Sequence, residues 1–213
     1  MLNMVKIEKL SLVIKTNEIL SDVNLKALSG NITGLVGDNG SGKTMIMKCI
    51  CGFITTYTGD IMIDEKNIKD TGVDKFNMGI LIESPGFISY YSGFKNLKCL
   101  ADIKNIISNQ KIQETMKLVG LDHKKRIKVS EYSLGMKQRL GLAQSIMEDP
   151  DILILDEPFN GLDNKMSNKI RQMLIEMKQQ GKTIILSSHN QNDIDILCDA
   201  VYRIESGKCQ KIT

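Results

Sequence analysis

Two hydrophobic rhythms divide this chain. In some stretches apolar residues alternate with polar ones or run unbroken for a few positions, as in β-strands; in others they recur at helical spacing. Met4–Leu10, Asp22–Leu28 and Asn31–Val36 read as strands, with Gly30 as a turn between the last two. Lys43 to Cys51 reads as a helix that Gly52 ends, and Gly59–Asp64 and Asn77–Ile82 read as further strands. From Phe94 to Asp149 helical spacing dominates, with helices expected at Phe94–Ile107, Ile112–Val119 and Leu134–Met147. Ile152–Leu155 is apolar throughout, as expected of a parallel strand covered on both faces. A helix at Lys165–Gln180, a strand at Thr183–Leu186, a short helix from Asp193 and a strand at Ala200–Ile204 complete the pattern. Strands alternating with helices predict an α/β fold with a mainly parallel sheet, and the helical block predicts a subdomain inserted at about residues 85–150. The length suits a single domain over residues 1–213.

Three stretches carry chemistry. The first is Gly37-Asp38-Asn39-Gly40-Ser41-Gly42-Lys43-Thr44, which follows an apolar strand and opens a helix. That is a P-loop: glycines let backbone N–H groups turn inward around phosphate oxygens, and the helix adds its positive end. Lys43 is placed to reach the terminal phosphates and Thr44 to offer a hydroxyl to Mg²⁺. The second is ILILDEP, Ile152 to Pro158, where Asp156 and Glu157 stand at a strand's C-terminal end. Ligands of open α/β sheets gather there. Asp156 is read as holding Mg²⁺ through water, and Glu157 as the general base for an attacking water. The third is Tyr132 to Arg139, YSLGMKQR, where Ser133 caps a helix start able to receive a phosphate. The P-loop already holds one nucleotide, so this second anion site faces another.

Together these stretches resemble the ATP-binding cassette (ABC) family nearly end to end. The resemblance adds a D-loop, Asn160–Asp163, and a switch histidine, His189, in family order. It implies a P-loop NTPase cassette with an antiparallel β edge, a head-to-tail homodimer around two ATP molecules, and Ser133 and Gly135 acting on the partner's nucleotide. By the same resemblance His189 contacts the γ-phosphate and Asp163 links the two sites. The expected protein is an ATP-hydrolysing subunit, with ATP and Mg²⁺ as cofactors. It would lie on the cytoplasmic, inner face of the membrane and power a separate permease. The alternative is a soluble cassette factor acting on ribosomes or DNA, which usually has two cassettes or long coiled-coil insertions.

The stretch LIESPGF, Leu81 to Phe87, puts Glu83 where most members of that family have a glutamine at the metal. A buried-looking acid there is expected to supply an anionic oxygen to Mg²⁺ or its water. The segment after it, PGFISYYSGFKNLKCLA, resembles the part that meets the permease. With SLGMKQR, this resembles the branch that exports lantibiotics and related peptide antibiotics. Leu134 and Met136 depart from the usual glycine and glutamine of the signature, and Val13 to Lys15 offer no aromatic residue to stack on adenine. Looser discrimination between ATP and GTP follows as an expectation.

Bulk properties narrow the rest. A net charge of +3 gives no electrostatic reason to expect a nucleic-acid partner, and the basic run His123–Lys128 reads as a solvated loop. Five cysteines at irregular spacing, without C-x-x-C, point away from zinc or a disulfide framework and toward a reducing cytosol. The opening MLNMVKIEKL lacks a signal-peptide pattern, and no apolar run reaches the roughly 18 residues of a membrane span, so the chain is expected not to cross a membrane.

Overall fold

The computed structural model describes residues 4–83 and 86–213. The chain opens with a hairpin of β1 (Val5–Ile14) and β2 (Asn17–Ala27), and Lys15 at its tip takes a positive φ of 57°. β3 (Ile32–Val36) runs through the glycine-rich loop into α1 (Lys43–Ile50). β4 (Thr58–Ile63), β5 (Lys66–Asn67), the single turn α2 (Ile68–Thr71) and β6 (Met78–Leu81) follow. Three helices come next, α3 (Gly93–Lys104), α4 (Asn109–Leu118) and α5 (Leu134–Ile146). β7 (Ile152–Leu155), α6 (Asn164–Gln179), β8 (Thr183–Ser187), α7 (Gln191–Leu197), β9 (Ala200–Glu205) and β10 (Lys208–Lys211) complete the order.

The strands form a four-stranded sheet, β2-β1-β4-β5, and a six-stranded sheet, β10-β9-β3-β8-β7-β6. The first is antiparallel throughout, so the expected antiparallel edge is a sheet of its own. In the second, β10 is the antiparallel edge and the other neighbours pair in parallel.

Burial explains why β7 reads as unbroken apolar sequence. Its four residues are at most 1% exposed. Ile152 and Ile154 pack into the core shared with the antiparallel sheet and α1, while Leu153 and Leu155 pack into the core shared with the helical block. Successive side chains leave a strand on opposite faces, so a strand sandwiched between two cores must be apolar at every position.

Serine hydroxyls begin the three inserted helices. Ser92, Ser108 and Ser133 each accept from the backbone N–H three residues on, at 3.2 Å. α3 stops at Lys104, short of the expected Ile107, because Asn105 turns left-handed (φ 53°) and closes the helix. The helix expected from Asp193 begins at Gln191, with Asn190 as its cap. β2 begins at Asn17, earlier than the expected Asp22, because the hairpin extends the pairing. β5 and β10 are too short and polar to show a hydrophobic rhythm. Ser84 and Pro85 of the LIESPGF stretch, and Met1–Asn3 of the opening MLNMVKIEKL, lie outside the described residues.

Candidate functional site

The loop between β3 and α1 needs its glycines for space as well as for φ. A Cβ on Gly37 (φ 144°) would lie 2.1 Å from the Ile204 carbonyl oxygen, and one on Gly42 (φ 114°) 2.7 Å from Leu20 Cδ2. Lys43 is 7% exposed and its ammonium donates to the loop's own carbonyls, Gly37 O at 2.6 Å and Asp38 O at 2.9 Å. The Ser41 hydroxyl is buried and has no partner among the described residues. The loop therefore holds a folded-back cation and an orphaned hydroxyl, groups that an incoming anion would satisfy.

Sheet register brings the second stretch to this loop. Leu155 of β7 pairs with Leu186 of β8 on one side and with Leu81 of β6 on the other. The next residues are thus neighbours: Ser187 donates to Asp156 Oδ1 at 2.6 Å, and the Asp156 N–H donates to the Leu81 carbonyl at 2.7 Å. Asp156 Oδ2 accepts from the Thr44 hydroxyl at 2.7 Å, across from the P-loop helix. The Glu157 N–H donates to Ser187 Oγ at 2.9 Å, and Glu157 holds a left-handed φ of 48°. Its Oε2 lies 2.8 Å from His189 Nδ1. Thr44, Asp156, Ser187, Glu157 and His189 form one continuous polar chain.

Glu83 departs from expectation. It follows β6 with a φ of 57°, but its side chain is 62% exposed and ion-paired, Oε1 lying 2.6 Å from Lys48 Nζ. The acid is tolerated because water and an ammonium solvate it.

Ser133 and Gly135 belong to a second group. Ser133 is exposed at the start of α5 and caps it. A Cβ on Gly135 would lie 2.4 Å from the Gly161 carbonyl oxygen, so the signature and the D-loop are pressed together. Asp163 is exposed and caps α6 through the Met166 N–H at 2.8 Å. Leu134, the departure from the family pattern, covers Gly161 and is 70% exposed. Gln138 ties the two groups by donating to the Glu157 carbonyl at 2.9 Å.

Sequence reasoning missed Ser187, Lys48 and Gln138. Ser187 was within reach, since it ends an apolar strand parallel to the one that precedes Asp156. Lys48 and Gln138 are ordinary polar helix residues whose roles depend on the tertiary placement of Glu83 and Glu157. Val13 and Ile14, which the family resemblance sets where an adenine-stacking residue is expected, are 54% and 40% exposed at the end of β1.

The donor set fits a hard divalent cation. Thr44 and Asp156 offer oxygen only, and among the described residues no three His, Cys, Asp or Glu side chains converge as a metal cage. Mg²⁺ is commonly held in this way, by one or two protein oxygens, with phosphate and water filling the rest. No helix among the described residues is long and apolar enough to cross a membrane.

Comparison with known proteins places this geometry. A family model described as ABC transporter matches residues 20–160, more than half of the chain. The Bacillus subtilis protein YybJ, named an uncharacterized ABC transporter ATP-binding protein, is 39% identical over 208 residues, covering 97% of this chain and 95% of that one. The lantibiotic transport ATP-binding protein SrtF of Streptococcus pyogenes is 34% identical over 205 residues, 96% of this chain and 88% of its own. The bacitracin transport ATP-binding protein BcrA of Enterococcus faecalis is 38% identical over 191 residues, 89% of this chain but 62% of its own length. Among solved structures, an ATP-binding subunit of an ABC transporter superposes with a TM-score of 0.86 at 25% identity, covering 99% of this chain and 90% of that one. The cbiO1 subunit of Clostridium perfringens, part of the complex cbiONQ, gives a TM-score of 0.80 at 26% identity, covering 98% and 87%. The dimeric cassette MJ0796 gives 0.88 at 21% identity, covering 98% and 99%, a likeness of fold alone.

Proposed function

The chain belongs to the ATP-binding subunits of ABC transporters, a family of ATPases, and from that premise we propose that it powers a separate membrane permease that exports a peptide antibiotic. The cargo class is supported by the names of SrtF and BcrA. The observation that carries the reading is the Asp156–Ser187–Glu157–His189 chain standing beside the P-loop.

In this reading the backbone N–H groups of residues 37–44 and the Lys43 ammonium take the phosphates of ATP, with Lys43 exchanging loop carbonyls for phosphate oxygen. Thr44 and Asp156, joined by Glu83 once its carboxylate leaves Lys48, would hold Mg²⁺, which would neutralise charge on the phosphates. Glu157 orients and deprotonates the attacking water, and His189 fixes the Glu157 carboxylate and faces the γ-phosphate. Ser133 and Gly135 meet the nucleotide of a second copy in a head-to-tail dimer, with Asp163 between the two sites. The exposure of Ser133 and Asp163, with Gly135 half-buried between them and the rest of the chain, supports a role toward a partner.

The permease is proposed to seat in a groove of about 380 Å³ between β6 and α3, lined by Phe53, Ile80, Ile82, Leu100, Ile103 and Met147. Phe53 and Ile103 are 62% and 77% exposed there, an apolar surface a partner would cover. Seated so, the chain sits on the inner face of the membrane. The soluble-factor alternative has no comparable observation behind it, and no nucleic-acid partner is proposed. Residues 1–213 are taken as one cassette, with the helical block at about 85–150 as its subdomain.

The test is affinity purification of a tagged Glu157→Gln protein in mild detergent with ATP and Mg²⁺, followed by mass spectrometry. A multi-span membrane protein in stoichiometric amount supports the reading. Ribosomal proteins or nucleic acid without a membrane protein would sink it.

A further inference from the structure

Resting on the reading of Glu83 given above, we propose that Lys48 is a positioning residue that sets the Mg²⁺ requirement by holding the Glu83 carboxylate until metal and nucleotide arrive. Their 2.6 Å ion pair ties the P-loop helix to the segment leaving β6. Lys48 follows Thr44 by four residues in α1, so the two side chains share one face of that helix. Long helical side chains lean toward the N-terminus, so the ammonium reaches back along the face that carries the Thr44 hydroxyl. The carboxylate is thereby tied to the helix face that carries Thr44.

The tie is built to be temporary. Glu83 is 62% exposed at its side chain and Lys48 21%, and an ion pair with so open a partner is weak and screened by salt. Neither side chain has another ion-pair partner among the described residues. Glu83 also sits at a φ of 57°, a backbone state that non-glycine residues adopt rarely and that clusters at switch positions. Mg²⁺ and the ammonium compete for the same two oxygens, and they repel each other. Losing Lys48 therefore favours the metal twice, but only the competition depends on Glu83.

That dependence gives the test. In a Glu157→Gln background, ATP affinity is measured by titration calorimetry across Mg²⁺ concentrations, with and without Lys48→Met and Glu83→Gln. Lys48→Met is expected to lower the Mg²⁺ concentration at half effect by about fivefold, the upper end for a partly exposed pair. Lys48→Arg is expected to keep the parent value, which separates the charge from the fold. In Glu83→Gln protein, Lys48→Met is expected to give only the smaller shift that relieved repulsion leaves. A shift as large there as in Glu83-containing protein is plain repulsion and overturns the proposal, as does an unchanged or higher requirement in Lys48→Met. If Glu83→Gln alone changes nothing, the reading of Glu83 fails and this proposal with it. If Glu83→Gln shifts the requirement and Lys48→Met does not, only Lys48 is wrongly assigned.

Discussion

His189 Nδ1 lies 2.8 Å from Glu157 Oε2, with the histidine 69% exposed at its side chain and the glutamate 21%. The pair spans the border between the sheet's C-terminal edge and open solvent. A base needs both an oriented carboxylate and access to water, and this placement supplies them. Glu157→Gln is expected to lower steady-state phosphate release by about 10²–10⁴-fold while leaving ATP affinity within a few-fold. His189→Ala is expected to fall in the same direction. Phosphate-release kinetics beside equilibrium ATP binding check this; a Glu157→Gln protein that turns over at the parent rate would remove the carboxylate from the chemistry.

Ser187 holds the two acids in register, donating to Asp156 and accepting from the Glu157 N–H. It is fully buried. Ser187→Ala leaves a carboxylate oxygen and an amide short of a partner, a loss of about 1–3 kcal/mol in unfolding free energy. It also frees the left-handed Glu157 from the bond that helps fix it. Urea unfolding should show the loss, and turnover should drop by more than ATP affinity. Equal effects on both would make Ser187 a structural residue only.

The candidate site was legible in sequence where its placement depends on local backbone. The P-loop is a contiguous turn into a helix, and Asp156 and Glu157 end a strand whose double burial writes itself as unbroken apolar residues. Glu83 was placed correctly on the chain and wrongly as to burial, because two apolar neighbours say nothing about a lysine arriving from another helix. Gln138 acts across helix packing, which no periodicity records, whereas Ser187 was within reach through the apolar strand it ends. β10 escaped for a related reason: in its Lys-Cys-Gln-Lys sequence only Cys209 packs on the core, too little to show a rhythm. The boundary of α3 was lost to a single left-handed asparagine.

Leu134 covers Gly161 yet remains 70% exposed beside Ser133 and Gly135. A large apolar side chain held at the surface next to the helix start proposed to meet a partner's phosphate is suited to a second copy of the chain. Leu134→Asp is expected to leave monomer stability within about 0.5 kcal/mol. It is expected to weaken the ATP-trapped dimer of the Glu157→Gln protein by at least about tenfold, through an unpaired charge at the contact. Analytical ultracentrifugation with ATP reads this directly. A dimer of parent affinity would put Leu134 outside the interface.

Val13 and Ile14, the positions nearest the expected base, are aliphatic and open to solvent. An aliphatic contact lacks the aromatic stacking worth about 0.5–1.5 kcal/mol, and it does not read the exocyclic groups of a purine. ATP and GTP are therefore expected to bind within about tenfold of each other. Substituting Val13→Tyr should tighten both nucleotides. Competition binding of the two against a fluorescent analogue is the measurement, and a strong preference for ATP would show that the base is read by other residues.

The cysteines make the protein sensitive to alkali rather than to acid. Burial pushes the thiols of Cys49 and Cys51 up from 9.0 to about 12, and Cys51 is raised further by Cys49. Above about pH 9 the unfolded chain loses these protons while the folded chain keeps them. The folded state then binds more protons than the unfolded one, so stability falls as pH rises. The contribution is complete below about pH 9 and is lost on the way to about pH 12, at about 1.4 kcal/mol per pH unit for each thiol. Urea midpoints are expected to drop as pH rises from about 9 to about 11, and Cys49→Ala with Cys51→Ala should flatten that drop if the cavities left are tolerated. Cys99, in contrast, is exposed on α3. It is expected to be the one thiol that reacts quickly with an aromatic disulfide reagent in the native state, and Cys99→Ser should abolish that fast phase. A fast phase that survives the substitution would mean that Cys198 or Cys209, half-buried and raised to about 12 and about 11, opens to solvent on the reagent's timescale.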